Sequence, residues 1–514
     1  MKHGKFMTAA DAVALIPDGA TIGLIGGGGG LCEAMCLHEA TEKRFLETGH
    51  PANMTLVHAL GIGNRKDTGI NRFAHKGMVR KVIGGHWPWS PRMQQMAANN
   101  EIEAHVLPGG VAMQMMREIA AKRPGLFTHV GLGTFIDPRI DGGRMNEAAR
   151  DPLCELVEIG GKEYLRYLPF QMDACLLKGS IADDDGNISL DEEPANVDSY
   201  AMAAAVHNCG GKVIVQVRKR VANGELGARQ VRIPSAIVDA IVVDPGQTQG
   251  YEIGYDPAIS GEKRVEEDAP GIPPFTARSI VAERARTELF DGAVINYGFG
   301  IPDQVATLVA ALGERERYYQ TIEHGTYGGT LLTGTLFGYA RNATAMIDGP
   351  SQFDFYSGGG LDIAFLGFGQ VDAAGNVNAS KLGGVPVGPG GFIDIAQNAR
   401  KVVFCGTFDA KGTDISSGNG DLSILRHGDV CKFVGKVDQI TFSGLQAVQQ
   451  GQEILYVTER CVFRLGPDGP VLTEIAPGID VQADVVGRME FTPVISPELK
   501  TMDAAFFKDR VKAA

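Results

Sequence analysis

Asp18-Gly-Ala-Thr-Ile-Gly-Leu-Ile-Gly-Gly-Gly-Gly-Gly30 reads as a short apolar strand that runs straight into five glycines. Ahead of it, Thr8-Ala-Ala-Asp11 resembles a capping box and starts a helix carrying Val13, Ala14 and Leu15, which Pro17-Asp18-Gly19 stops. Behind it, Glu33, Ala34, Met35 and Leu37 open a second helix. The stretch predicts a helix–strand–glycine loop–helix unit, the element from which α/β sheets are built. The same unit recurs. Thr276 begins a helical run (Ile280, Val281, Ala285, Leu289) that ends at Asp291-Gly292, and the strand Ala293-Val-Ile-Asn-Tyr297 opens into Gly298-Phe-Gly300-Ile-Pro302. Asp18-Gly19-Ala20 matches Asp291-Gly292-Ala293 at an offset of 273.

A second echo has an offset of 189. Asp173-Ala-Cys-Leu-Leu177 matches Asp362-Ile-Ala-Phe-Leu366, Gly186-Asn187 matches Gly375-Asn376, and Lys212-Val213 matches Lys401-Val402. Two registers that each tie one half to the other predict two homologous open α/β domains rather than a solenoid. The boundary falls in a linker over 247–274, which holds Gly261-Glu-Lys-Arg-Val-Glu-Glu-Asp268 and then Pro270, Pro273 and Pro274, with no apolar period. The expected domains are 1–270 and 271–514, the second carrying the candidate nucleophile introduced below, with a cleft between them.

At 514 residues the chain is too long for one core, and 44% hydrophobic with 21% charged residues describes a globular protein. The net charge of −13 comes without any block of Lys or Arg, which argues against a nucleic-acid partner. The eight cysteines are scattered without a C-x-x-C, and Cys32 and Cys36 fit no zinc-ligand pattern, so buried or free thiols in a reducing compartment are expected and no metal. No apolar signal region or membrane-length run is present, and the expected location is the cytoplasm.

So many glycine loops invite a dinucleotide test, which they fail. After Gly131-Leu-Gly133, Gly298-Phe-Gly300, Gly367-Phe-Gly369 and Gly388-Pro-Gly390, the third glycine position holds Ile136, Asp303, Asp372 or Ile393. There is no Walker A motif and no G-x-S-x-G elbow. What remains is carboxylate chemistry with backbone donors. In Thr321-Ile-Glu-His-Gly-Thr-Tyr-Gly-Gly-Thr330 a β-type run delivers Glu323 into a turn rich in glycine. Gly388-Pro-Gly390-Gly391 reads either as a tight turn or as a set of N–H donors for a developing oxyanion, and Ser357-Gly358-Gly-Gly360 shares that ambiguity.

Motifs in order along both halves make the chain resemble family I coenzyme A transferases, most closely the single-chain acetate or propionate CoA-transferases. They are Gly26 to Gly29, Gly85-His-Trp87, Gly131-Leu-Gly-Thr-Phe-Ile-Asp-Pro138, Val242-Val-Asp-Pro-Gly-Gln-Thr248 and Glu323-His-Gly325. They continue with Ser351-Gln-Phe-Asp-Phe-Tyr-Ser-Gly-Gly-Gly-Leu-Asp362, Gly388-Pro-Gly-Gly-Phe-Ile-Asp394 and Phe491-Thr-Pro-Val-Ile-Ser-Pro497.

The resemblance implies CoA transfer between a short-chain acyl-CoA and a carboxylic acid such as acetate. It would proceed by ping-pong chemistry through an acyl-glutamyl anhydride and a glutamyl-CoA thioester on Glu323. It implies acyl-site backbone contacts at Gly109, Gly300, Gly390 and Gly391, and substrate or CoA contacts at Gly28, Gln114, Ser357, Gly359 and Gly388. No permanent cofactor is implied: coenzyme A is substrate and transient adduct. The implied partners are acyl-CoA and short-chain carboxylates, with no nucleic acid and no membrane, in a homo-oligomer with a tetramer favoured. Two positions depart from the pattern. His324 stands where relatives tend to carry a small polar residue, and either tunes the charge of Glu323 or supports its loop. Pro108-Gly109-Gly110 stands where they tend to carry Pro-Gln-Gly, which makes Gln114 the substitute candidate. An acyl-CoA hydrolase on the same scaffold and a non-catalytic acyl-CoA-binding protein remain as alternatives.

Overall fold

The computed structural model describes residues 5–509, which form two compact units. The first unit holds residues 5–265 together with 322–355 and 383–394, and the second holds 266–321, 356–382 and 395–509. The units therefore do not follow the linear halves: Glu323 and the Gly388–Gly391 loop both belong to the first.

The first unit is built on a seven-stranded sheet in the order Ala240–Val243, Lys212–Val217, Ala174–Lys178, Thr21–Leu24, Met54–Gly61, Val79–His86, Glu103–His105. All of its pairings are parallel. Parallel strands are covered on both faces and so read as unbroken apolar runs. Met54–Gly61 is buried at every position, and Ile22 and Leu24 are likewise buried. In the second unit the strands run Tyr319–Ile322, Val294–Tyr297, Ile363–Gly367, Lys401–Cys405, Glu453–Val457, again parallel, before the antiparallel Cys461–Gly466 and Gly469–Ile475 and the edge strand Val494–Thr501.

The repeat holds at the level of register. Ile22 pairs with Ala174 as Ile295 pairs with Ile363, and Ala174 pairs with Lys212 as Ile363 pairs with Lys401. The Asp173 carboxylate accepts the Thr21 N–H as Asp362 accepts that of Val294, at 2.8 and 2.9 Å. Asn187 folds back on Asp183 as Asn376 does on Asp372. Polar side chains reused at both offsets, with their partners, show one α/β plan built twice.

Local chemistry explains the element ends. Thr8 caps the Ala9–Val13 helix through the Asp11 N–H, and Thr276 forms a capping box with Ser279 before Ala277–Arg286. Glu33 departs from expectation: the helix starts later, at Met35, and leaves Glu33 in the glycine loop. The predicted linker is irregular over 263–275, but its first part is packed, with Gln249 and Ile259 buried.

Candidate active site

Strand Tyr319–Ile322 ends against Glu323, and the chain turns at Gly325. The Gly325 N–H donates to Ile322 O at 3.0 Å, and its carbonyl accepts the Ile347 N–H at 2.8 Å. Gly325 has φ +109°, and a β-carbon there would stand 2.2 Å from Ile347 O, so the turn that aims Glu323 admits only glycine. Glu323 is partly buried, and loss of water pushes its carboxyl up to about 7, against a pull downward from the Gly391 N–H that it accepts. A carboxylate that is ionised near neutrality, yet only weakly stabilised, is a competent nucleophile.

The Gly388–Gly391 loop lies along the end of strand Val79–His86. Trp87 N–H donates to Val387 O at 2.9 Å, and Gly390 N–H donates to Gly85 O at 2.8 Å. At Gly388, with φ +75°, a β-carbon would meet Gly85 O at 2.5 Å. The Gly390 carbonyl accepts the Gly109 N–H at 2.7 Å, which joins the loop to the start of the Gly109–Ala120 helix. Gly391 is glycine for a different reason: a β-carbon on it would stand 1.9 Å from Glu323 Oε2 and 3.0 Å from Phe353 Cζ.

These bonds revise the donor set read from the sequence. The N–H groups of Gly390 and Gly109 already have carbonyl acceptors, and that of Gly300 donates to the Asp303 carboxylate at 3.1 Å. The loop spends its Gly390 N–H on the neighbouring strand, and the next N–H, Gly391, is the one turned to Glu323. Gln114, the substitute candidate, is tied to a neighbouring carboxylate. Its Nε2 donates to Asp354 Oδ1 at 2.8 Å, in a cluster with Arg117, whose Nη2 reaches both Asp354 oxygens at 2.7 Å.

His324 supports its loop. Its Nε2–H donates to Gly338 O at 2.7 Å, and burial pushes the imidazole down to about 4, so it carries no charge near neutrality. Gly28, with φ +86°, lies against the Trp89 indole, where a β-carbon would stand 2.5 Å from Cε2. Ser357, Gly359 and Gly300 belong to the second unit, where Gly359 donates its N–H to Tyr356 O at 2.9 Å.

Four side chains that organise these loops lie outside the candidate set that the sequence offers. Glu33 is wholly buried; it accepts the N–H groups of Gly30 and Gly63 at 3.2 and 2.9 Å and the Tyr251 hydroxyl at 2.6 Å, and burial pushes it up to about 7. The five glycines thus close around a carboxylate three residues after Gly30. Asp394, also wholly buried, accepts the N–H groups of Gly110 and Val111 at 3.1 and 3.2 Å. Phe353 fills the space that glycine leaves at positions 110 and 391. A charged residue just after a glycine loop is the available signal for Glu33 and Asp394; Tyr251 lies in the linker-like stretch and has none. Among the described residues no group of three or more His, Cys, Asp or Glu is placed to hold a metal ion.

Comparison with known proteins gives a consistent result. A family described as Coenzyme A transferase matches residues 6–244. The chain is 42% identical over 506 residues to the acetate CoA-transferase YdiF of Escherichia coli (strain K12), covering 98% of this chain and 95% of that protein. It is 43% identical over 517 residues to a caffeate CoA-transferase of Acetobacterium woodii, covering 98% of each. The crystal structure of acyl-CoA transferase YdiF from E. coli O157:H7, a thioester complex with CoA, matches with a TM-score of 0.94 at 40% identity, covering 99% of this chain and 97% of that one.

Proposed function

The chain belongs to the coenzyme A transferase family and is a CoA-transferase, and from that premise we propose that Glu323 is its nucleophile and that its substrates are short-chain acyl-CoAs and carboxylic acids such as acetate. The observation that carries the assignment is the Glu323 carboxylate held on the Gly391 N–H at a turn that only glycine permits.

The chemistry follows from that geometry. A Glu323 oxygen attacks the thioester carbonyl carbon; the tetrahedral oxyanion collapses, the C–S bond breaks, and CoA leaves as thiolate. The product is an acyl-glutamyl anhydride. The thiolate then attacks the glutamyl carbonyl carbon and expels the first acid as its carboxylate, leaving a glutamyl-CoA thioester. In that step negative charge gathers on the glutamyl oxygen that did not enter the anhydride, and this is the oxygen we assign to the Gly391 N–H. The acceptor carboxylate attacks the glutamyl thioester and the sequence runs in reverse, releasing a new acyl-CoA and free Glu323. Every step exchanges a carboxylate for a thiolate, so no net proton transfer is needed.

We place the protein in the cytoplasm, as a homo-oligomer with a tetramer favoured. The eight unpaired cysteines support a reducing compartment, and no helix among the described residues is long and apolar enough to cross a membrane. We assign the duplicated domains to 1–270 and 271–514; the registers repeated at offsets of 273 and 189 support that division.

Incubation with propionyl-CoA, with and without acetate, tests the reading by intact mass and free-acid analysis. A CoA adduct that maps to Glu323 and is discharged by acetate as acetyl-CoA is the expected result. Propionate release without acyl transfer would make the protein a hydrolase, and neither adduct nor turnover would leave it an acyl-CoA-binding protein.

A further inference from the structure

Asp394 lies three residues beyond Gly391, on the helix Phe392–Asn398, and its side chain is wholly buried. Its oxygens are spent on a distant part of the chain. Oδ2 accepts the Gly110 N–H and Oδ1 the Val111 N–H. Both belong to the first turn of the Gly109–Ala120 helix, where N–H groups have no acceptor within their own helix. The residue that opens that helix, Gly109, gives its N–H to Gly390 O at 2.7 Å.

The helix start is therefore fastened on two sides of Gly391, to the carbonyl before it and to the carboxylate after it. Glycine at position 110 is what permits the approach, since a β-carbon there would stand 2.5 Å from Asp394 Oδ1 and 2.3 Å from Phe353 Cδ1. Phe353 closes the ring by reaching to the empty side of Gly391. Between these fixed points the Gly390–Gly391 peptide has little freedom, and its N–H lies on Glu323.

We propose that Asp394 is a positioning residue for CoA transfer: by holding the first turn of the Gly109–Ala120 helix against the glycine loop, it keeps the Gly391 N–H on the Glu323 carboxylate. This rests on Glu323 being the nucleophile. The two carboxyls also feel one another: burial, and to a lesser degree the charge of Glu323, pushes Asp394 up to about 8. The Asp394 bonds described above run to the Gly109–Ala120 helix, so its loss is expected to act on the rate of the chemical step and to leave acyl-CoA binding in place.

The test compares wild type, Asp394→Asn and Arg117→Ala in the rate of CoA-adduct formation over a range of propionyl-CoA, with melting temperatures measured alongside. Asparagine keeps the shape and one acceptor oxygen but sets an amide N–H against a backbone N–H. Arg117→Ala loosens the same helix two turns further on, at the Asp354 ion pair. Asp394→Asn is expected to slow the saturating rate roughly 10- to 100-fold with half-saturation within about threefold, while Arg117→Ala forms adduct at the wild-type rate. Wild-type rates in Asp394→Asn, or rates that track melting temperature across both variants, would overturn the proposal. A wild-type protein that forms no adduct on Glu323 would instead overturn the nucleophile assignment, and this inference with it.

Discussion

Gly391 and Glu323 meet so closely that no side chain fits between them: the Gly391 N–H donates to the glutamate, and a β-carbon at 391 would stand 1.9 Å from Glu323 Oε2. Nothing in the Gly391 backbone conformation itself demands glycine, because its φ is not in the left-handed region. The constraint is the carboxylate. Gly391→Ala must displace either Glu323 or Phe353, at a cost of about 1–3 kcal/mol in stability. The larger expected effect is on chemistry, a fall in adduct formation of roughly 100-fold or more as the Glu323 carboxylate moves by about an ångström. Intact-mass time courses and thermal melts measure both.

Glu323→Gln keeps the shape and an acceptor oxygen for the Gly391 N–H but removes the proposed nucleophile. Adduct formation is expected to disappear and turnover to fall by about 10³-fold or more, while the protein stays folded. An adduct of unchanged mass on the variant would place the nucleophile at another residue.

In the proposed chemistry the reactive form of Glu323 is the carboxylate, and burial, which pushes it up to about 7, sets the expected pH dependence. Adduct formation should rise with pH through about 7 and level off above it. Stability carries the opposite sign. A carboxyl raised in the folded state keeps its proton where the unfolded chain has lost it, so its contribution is lost as pH rises from the ordinary carboxylate range through about 7. Glu323→Gln should therefore be more stable than wild type at pH 8, by on the order of 1–2 kcal/mol, with the gap closing toward pH 4. Denaturant melts at the two pH values check this, and a gap that widened toward acid would refute it.

Tyr251→Phe strips the hydroxyl from buried Glu33 while leaving the Gly30 and Gly63 N–H groups in place. Loss of one bond to a buried carboxylate is expected to cost about 1–3 kcal/mol. The cost should shrink in a Glu33→Gln background, where no charge is left to satisfy, and a double-mutant cycle by denaturant unfolding measures that coupling.

His324 is expected to matter for the loop and not for charge. His324→Ala removes the donor to Gly338 O and leaves a cavity, with a stability loss of about 2–4 kcal/mol. The pH midpoint of adduct formation in a variant that keeps the loop, such as His324→Gln, should stay near the wild-type value, because the wild-type ring is already neutral there.

By itself the sequence determined the α/β plan, its duplication and the identity of the nucleophile candidate. Those features are written in short-range chemistry: strand periodicity, the Thr8 and Thr276 caps, the glycine turns, and Asp173 and Asp362 standing at the same place in two repeats. Only the tertiary structure decided how the site is held. Gly390 and Gly109, read as donors, turned out to have spent their N–H groups on other carbonyls, and Gln114 to be tied to Asp354. Asp394 stands in a glycine motif whose pattern gives it no role, and Tyr251 lies in a stretch with the composition of a linker. The physical reason is separation along the chain. Asp394 meets Gly110 across 284 residues and Tyr251 meets Glu33 across 218. Which N–H finds which acceptor over such distances is settled by packing, and no local pattern records it.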